Sequence, residues 1–229
     1  MKWLINFFTS SIGRKLIMSL TGLFLILFLV VHLTGNLQLL KDDDGVAFNA
    51  YAYFMTSNPL IKFVAIGNYA FIIIHAFLGL FIWYKNKGAK GSKYAVKSNA
   101  EVTWASKNMA LLGTLILAFI FIHMGDFWFK MKFTDHIAMV SIEGMDHQVK
   151  DLYSQVAHTF SNPLMVAAYL VGLATLSFHL WHGFQSAFQT LGLNHPKYTP
   201  IITGLGKAFA VLVPLGYAII PLYYFFVMK

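Results

Sequence analysis

No cysteine occurs in the 229 residues, which excludes disulfides, thiolate metal sites and iron–sulfur ligation by this chain. Charge is scarce as well: 11% of residues are charged, against about 25% in ordinary soluble domains. Acids are scarcest, nine against seventeen Lys and Arg. The resulting charge of +8 would suit nucleic acid only if the basic side chains shared a face, and they fall between apolar runs instead. Strand-type alternation is absent, and in lipid only helices or closed barrels satisfy their own backbone. What remains is apolar, with 58% hydrophobic residues including 22 Phe, 11 Tyr and 5 Trp. These features describe an integral membrane protein built of helices.

Five runs are long enough to cross a bilayer of roughly 30 Å, which takes about 20 helical residues. They cover approximately 16–40, 60–84, 109–129, 163–191 and 201–228. The expected fold class is an all-α membrane protein, one domain over residues 1–229 forming a five-transmembrane-helix bundle. The first run is too long for a signal peptide and lacks a small-residue cleavage site, so it reads as an uncleaved span. The tetrapeptide SNPL opens two of the spans, at Ser57–Leu60 and Ser161–Leu164. Asn58 and Asn162 suit an N-cap, and Pro59 and Pro163 suit the first helical position, where a missing N–H costs nothing.

With the N-terminus in the cytoplasm, eleven basic residues fall inside: Lys2, Arg14, Lys15, six lysines from Lys85 to Lys107, Lys197 and Lys207. Six fall outside, namely Lys41, Lys62, Lys130, Lys132, Lys150 and Lys229. The positive-inside rule therefore favours an N-in, C-out topology, with the C-terminus outside.

Nine histidines are present. His136, His147, His158 and His195 fall between spans and read as solvated loop residues. His32, His75, His123, His179 and His182 fall inside spans, where an imidazole is rare enough to suggest function. His32 and His123 lie roughly 24 Å along outward-running helices, and His75 and His179 equally far along inward-running ones. Four histidines thus form two pairs, an outer one (His32, His123) and an inner one (His75, His179), at levels roughly 10–18 Å apart. Two imidazoles facing one another inside a bundle are what a six-coordinate b-type haem needs. Without cysteine or a helical carboxylate cluster, zinc and di-iron sites compete poorly. Gly35, Gly79 and Gly183 lie three or four residues after three of these histidines, on the same helix face, where a flat macrocycle needs close approach. Helix–helix packing is the other reading of such glycines.

The stretches VVHLTGN (Val30–Asn36), IIHAFLG (Ile73–Gly79), FIHMGDFW (Phe121–Trp128) and SNPLMVAAYLVGLATLSFHLWHGF (Ser161–Phe184) carry a family resemblance. Over nearly its whole length the chain resembles the five-helix, di-haem cytochrome b subunit of succinate:quinone oxidoreductases, the bacterial succinate dehydrogenases and related fumarate reductases. The resemblance implies two haem b groups, ligated by His32, His75, His123 and His179. It implies a multi-pass protein of the bacterial cytoplasmic membrane that anchors a flavoprotein subunit, which performs the dicarboxylate chemistry, and an iron–sulfur subunit. Electrons would pass between the iron–sulfur subunit and quinone, menaquinone being the preferred partner, with no role for nucleic acid. The family pattern places its ligand four residues before glycine, selecting His179 over His182, and the spacing from Pro163 repeats that of Pro59 to His75. His182 is then left to bond a haem propionate, a neighbouring helix or water.

Some fumarate reductases of this family carry a glutamate two residues before the fourth ligand, where this chain has Ser177. That departure favours succinate oxidation with menaquinone reduction. Asp42, Asp43, Asp44 and Asp126 are the outer candidates for proton uptake, and Arg14 and Lys15 the inner ones for pairing a haem propionate. The segment from Lys85 to Lys107, the region around His195–Lys197 and the Met1–Lys15 arm form the expected docking surface. A di-haem cytochrome of a hydrogenase or formate dehydrogenase remains an alternative. So does a histidine-containing transporter, to which Pro214 and Pro221 would lend broken helices.

Overall fold

The computed structural model describes residues 2–89 and 104–228. Lys90, Lys93, Lys97 and Glu101 of the expected docking segment lie outside them, as do Met1 and Lys229. Five helices are long and apolar enough to cross a membrane: Ser11–Leu40, Pro59–Gly88, Met109–Phe133, Pro163–Thr190 and Thr199–Phe226. The chain runs α1 (Lys2–Thr9), α2 (Ser11–Asn36) with a 3-10 turn (Leu37–Leu40), α3 (Val46–Ser57), α4 (Pro59–Ala89) and α5 (Trp104–Lys107). It continues through α6 (Met109–His123), a π-helical stretch (Met124–Phe129) and α7 (Lys130–Phe133), then β1 (Met139–Ser141), β2 (Gln148–Lys150), α8 (Leu152–Phe160), α9 (Pro163–Thr190) and α10 (Thr199–Phe226).

Both SNPL copies start helices as their chemistry requires. Asn58 Oδ1 accepts from the backbone N–H of Leu60 at 2.9 Å and of Ile61 at 3.3 Å, and Asn162 Oδ1 from that of Leu164 at 2.9 Å. Each proline then takes the first helical position. The first span begins at Ser11, five residues before the expected Leu16, because Ser10 Oγ caps the helix by accepting from the Gly13 N–H at 2.9 Å.

Four helices form the bundle around which the histidines sit. α2 packs on α4 and α9, and α6 on α4 and α9, while α10 lies against α9 and α2 from outside. α2 and α6 therefore face each other across one diagonal, and α4 and α9 across the other. Pro214 and Pro221 do not break α10, which is continuous from Thr199 to Phe226. Pro214 has no N–H for the carbonyl of Ala210, one turn earlier. Ser177 Oγ donates to that carbonyl at 2.6 Å, so α9 repairs the ladder of α10.

The end of the bundle carrying residues 41–58 and 126–162 holds eight of the nine carboxylates and is the acidic end; the opposite end is the basic end. Sequence patterning treats the acidic-end connections as loops, and the structure orders them. β1 and β2 pair antiparallel with Val140 opposite Val149, joined by a turn through Gly144 at φ +88°. Three residues per strand are too few to print a period-two pattern. His158 lies in α8 rather than in a loop. Asn49, 3% exposed, donates to Asp151 Oδ1 at 2.9 Å and accepts from the Tyr153 N–H at 3.0 Å. That amide ties α3 to the start of α8. Beneath it Leu39, Phe48, Val156, Phe160, Ile220 and Tyr224 form an apolar core.

Candidate cofactor site

Helix α2 brings His32 to the bundle interior and α6 ends on His123, and their ring centroids lie 5.7 Å apart. Helix α4 carries His75 and α9 carries His179, with centroids 6.2 Å apart. Each pair spans one diagonal of the four-helix bundle. The two pairs occupy different levels, and two helices give the spacing independently. Gly22 on α2 abuts His75, and Tyr169 on α9 reaches His123. From Gly22 to His32 and from Tyr169 to His179 is ten residues each, about 15 Å of helix. His182, one turn beyond His179, belongs to neither pair.

The basic-end pair is held by small, polar neighbours. Thr21 Oγ1 lies 3.1 Å from His75 Nδ1 and 2.7 Å from the Ile17 carbonyl oxygen. A hydroxyl has one proton, and the carbonyl can only accept, so Thr21 accepts the Nδ1–H of His75. The Nε2 lone pair of His75 is thereby left for a ligand bond. A Cβ at Gly22 would stand 3.1 Å from Cε1 of the same ring, so glycine permits this seat. His179 Nδ1 is buried without a partner among the described residues. Toward the basic end, Lys15 lines a cavity of about 340 Å³ with Ile12, Leu16, Ser186, Gln189 and Thr190, while Arg14 lies 5.3 Å over the Phe81 ring.

Aromatic rings surround the acidic-end pair. His32 stacks on Phe28 at 5.2 Å and meets Tyr217 at 5.8 Å, and Asn36 Nδ2 lies 3.4 Å from its Nε2. Around His123 stand Phe127 at 5.4 Å, Phe119 at 6.0 Å and Tyr169, whose hydroxyl is 3.5 Å from Nδ1. Tyr217 is itself fixed, its hydroxyl donating to the Leu29 carbonyl at 2.7 Å. Three residues beyond His123, the π-helical stretch presents Asp126. One carboxylate oxygen of Asp126 receives Lys130 Nζ at 3.1 Å, and the other is buried without a partner among the described residues. Asp42, Asp43 and Asp44 lie away from both pairs in the connection to α3, where Asp43 caps it by accepting from the Gly45 and Ala47 N–H groups at 3.1 Å.

Both ring separations fit two imidazoles sharing one metal. An imidazole nitrogen binds a first-row metal at about 2.0–2.1 Å, so two rings sharing one metal have centroids about 6 Å apart. The glycines behave differently from one another. Gly183 meets nothing within 4 Å and Gly79 only the Met18 methyl at 3.5 Å, which leaves room beside His179 and His75. Gly35 does not offer such room: a Cβ there would run into the Tyr51 ring, so this glycine serves the packing of α3 on α2.

Three functional candidates escape sequence reading. Thr21 and Gly22 meet His75 only because α2 and α4 are neighbours, and nothing in their local sequence marks them. Asn68 is 5% exposed, with Oδ1 unpartnered among the described residues. It lies two helical turns before His75, about 10 Å nearer the acidic end and between the two levels. Its signal was an amide on the histidine's own face, spaced by seven. Comparison with protein-family models, curated proteins and solved structures finds no match.

Proposed function

We propose that the chain is the membrane-anchoring di-haem cytochrome b subunit of a succinate:quinone oxidoreductase, passing electrons between an iron–sulfur subunit and membrane quinone. The observation that carries this reading is the placement of four histidines as two pairs, one across each diagonal, about 15 Å apart along the bundle. When bound, haem iron supplies reversible one-electron transfer, its potential set by axial ligands, hydrogen bonds and burial. His75 and His179 would hold the inner group, and His32 and His123 the outer. Thr21 fixes the His75 tautomer, a second-shell contact of the kind that orients ligating imidazoles. Phe28, Phe119, Phe127, Tyr169 and Tyr217 exclude water from the outer pair. Lys15 places positive charge on the inner side, suited to a propionate.

Succinate oxidation with menaquinone reduction is the proposed direction. Ser177 spends its proton on the Ala210 carbonyl and so is no carrier at the position where some relatives in the resembled family hold glutamate. An N-in orientation in a bacterial cytoplasmic membrane puts the basic end, with Lys85, Lys87 and Lys107, against the partner subunits.

Purification in mild detergent tests the reading. A flavoprotein with covalent flavin and an iron–sulfur subunit should accompany the chain, and cross-links should run from Lys85, Lys87 or Lys107 to the iron–sulfur subunit. A hydrogenase-type partner, or cross-links only from Lys132 and Lys150, would overturn the partner or the orientation.

A further inference from the structure

Five described lysines lie at the acidic end, and they are not used alike. Lys130 is paired with Asp126 at 3.1 Å. Lys62, Lys132 and Lys150, from α4, α7 and β2, line one cavity of about 270 Å³ closed on the α3 side by Tyr53 and Thr56. No carboxylate among the described residues lines it. Asp151, next to Lys150, is turned away to accept from Asn49 and Ser154. Asp146 is held by His147 Nδ1 at 2.6 Å, and the His147 ring stands 4.5 Å from that of Tyr53, outside the cavity lining. Lys150 is fixed in the wall because its Nζ donates to the carbonyls of Met131 at 2.8 Å and Thr134 at 3.1 Å. Thr56 spends its proton on the Ala52 carbonyl, and the Tyr53 hydroxyl has no hydrogen-bond partner among the described residues.

Three lysines around one cavity make it a positively charged site that attracts an anion. The position of the cavity says what kind. Lys62 stands in the first turn of the span Pro59–Gly88, at the level of lipid headgroups. Phe63 next to it and Ile66 one turn along the same face are 75% and 66% exposed, and Phe133 is 65% exposed next to Lys132. These side chains are apolar and face outward from a membrane-crossing helix and its extension, so they meet acyl chains. The occupant therefore carries a negative headgroup and an apolar tail.

We propose that this cavity binds the phosphate of an anionic phospholipid, with Lys62, Lys132 and Lys150 as cationic ligands, Tyr53 as a hydroxyl donor, and the acyl chains along Phe63, Ile66 and Phe133. Lysine suits this task as a compact charge with several donors. The inference does not depend on the haem or succinate reading.

Native mass spectrometry of the purified full chain, in micelles holding equimolar phosphatidylcholine and phosphatidylglycerol, tests it. One phosphatidylglycerol should be retained per chain in preference to the neutral lipid. The variant Lys62→Gln/Lys132→Gln keeps the Lys150 contacts, so the fold should persist by circular dichroism while retention falls on the order of tenfold. Lys41→Gln, at the same end but outside the cavity, should leave retention unchanged. Equal retention of the two lipids, an equal loss in Lys41→Gln, or displacement of the lipid by millimolar inorganic phosphate would overturn the proposal. The last of these would identify a site for soluble phosphate.

Discussion

The two histidine pairs have the same donor atoms and nearly the same ring separation, 5.7 Å and 6.2 Å, yet their surroundings share almost nothing. At the basic end a hydroxyl, three glycines and a lysine-lined cavity attend His75 and His179. At the acidic end a sleeve of aromatic rings attends His32 and His123, with a carboxylate one turn away. Identical ligands in unlike environments would make the two proposed haems chemically unlike, since hydrogen bonds, burial and nearby charge set a haem's potential. On the proposed reading, positive charge from Lys15 would favour the reduced form at the basic end, while Asp126, paired with Lys130, adds little net charge at the acidic end. On that reading a single bundle would hold two steps of different potential, with electrons favoured at the basic-end pair.

The largest effects separate the pairs. His75→Ala and His179→Ala should each remove the same spectral component and about half of the haem, while His32→Ala and His123→Ala remove the other; haem content and difference spectra check this. Loss of one common component in His32→Ala and His75→Ala would break the division into pairs. Next comes Thr21→Val, which keeps the shape and deletes the acceptor of the His75 Nδ1–H. Haem affinity at the basic-end pair should fall about tenfold, the low end for an outer-shell partner, with the acidic-end component unmoved. Haem-transfer kinetics to an acceptor protein measure both.

Ser177→Ala asks whether this position is structural. Loss of its bond to the Ala210 carbonyl should destabilise the bundle by about 1 kcal/mol, within the range for hydrogen bonds between membrane helices. In a Pro214→Ala background the restored N–H takes the same carbonyl, and the serine effect should shrink. Equal effects in both backgrounds would show that Ser177 acts otherwise.

The smallest effect distinguishes the two ends by pH. Burial pushes the Asp151 carboxyl up, but hydrogen bonds from Ser154 and Asn49 outweigh it and hold the group below its ordinary value. A carboxyl depressed in the folded state contributes stability above its unfolded pKa of about 3.9, and loses it as pH falls through the folded value. Amide exchange in α3 and α8 should therefore quicken below about pH 4 before that of the spans. In Asp151→Asn this acid dependence should flatten.

Some of this architecture is readable before any coordinates. Helix starts at Pro59 and Pro163 follow from local chemistry, and five spans from the length of apolar runs. The meeting of His32 with His123 and of His75 with His179 follows from depth, because antiparallel helices of known rise fix the level of each residue. Rotation about each helix axis is not fixed that way. The face carrying Gly35 is marked by its spacing from His32, but what covers it is Tyr51 from α3, a helix hidden between two spans. Thr21, Gly22 and the Ser177–Ala210 bond depend on which helices are neighbours, which hydropathy does not encode. β1 and β2 are shorter than the pattern that would announce them.

The central claim is that two bis-imidazole sites sit at two levels of one bundle. Pyridine haemochrome analysis of the intact purified protein, with a reduced-minus-oxidised visible spectrum under redox titration, tests it most directly. The account predicts two protohaems per chain titrating as two components, the higher-potential one lost in His75→Ala and the lower in His32→Ala. One haem per chain, or none, would contradict it.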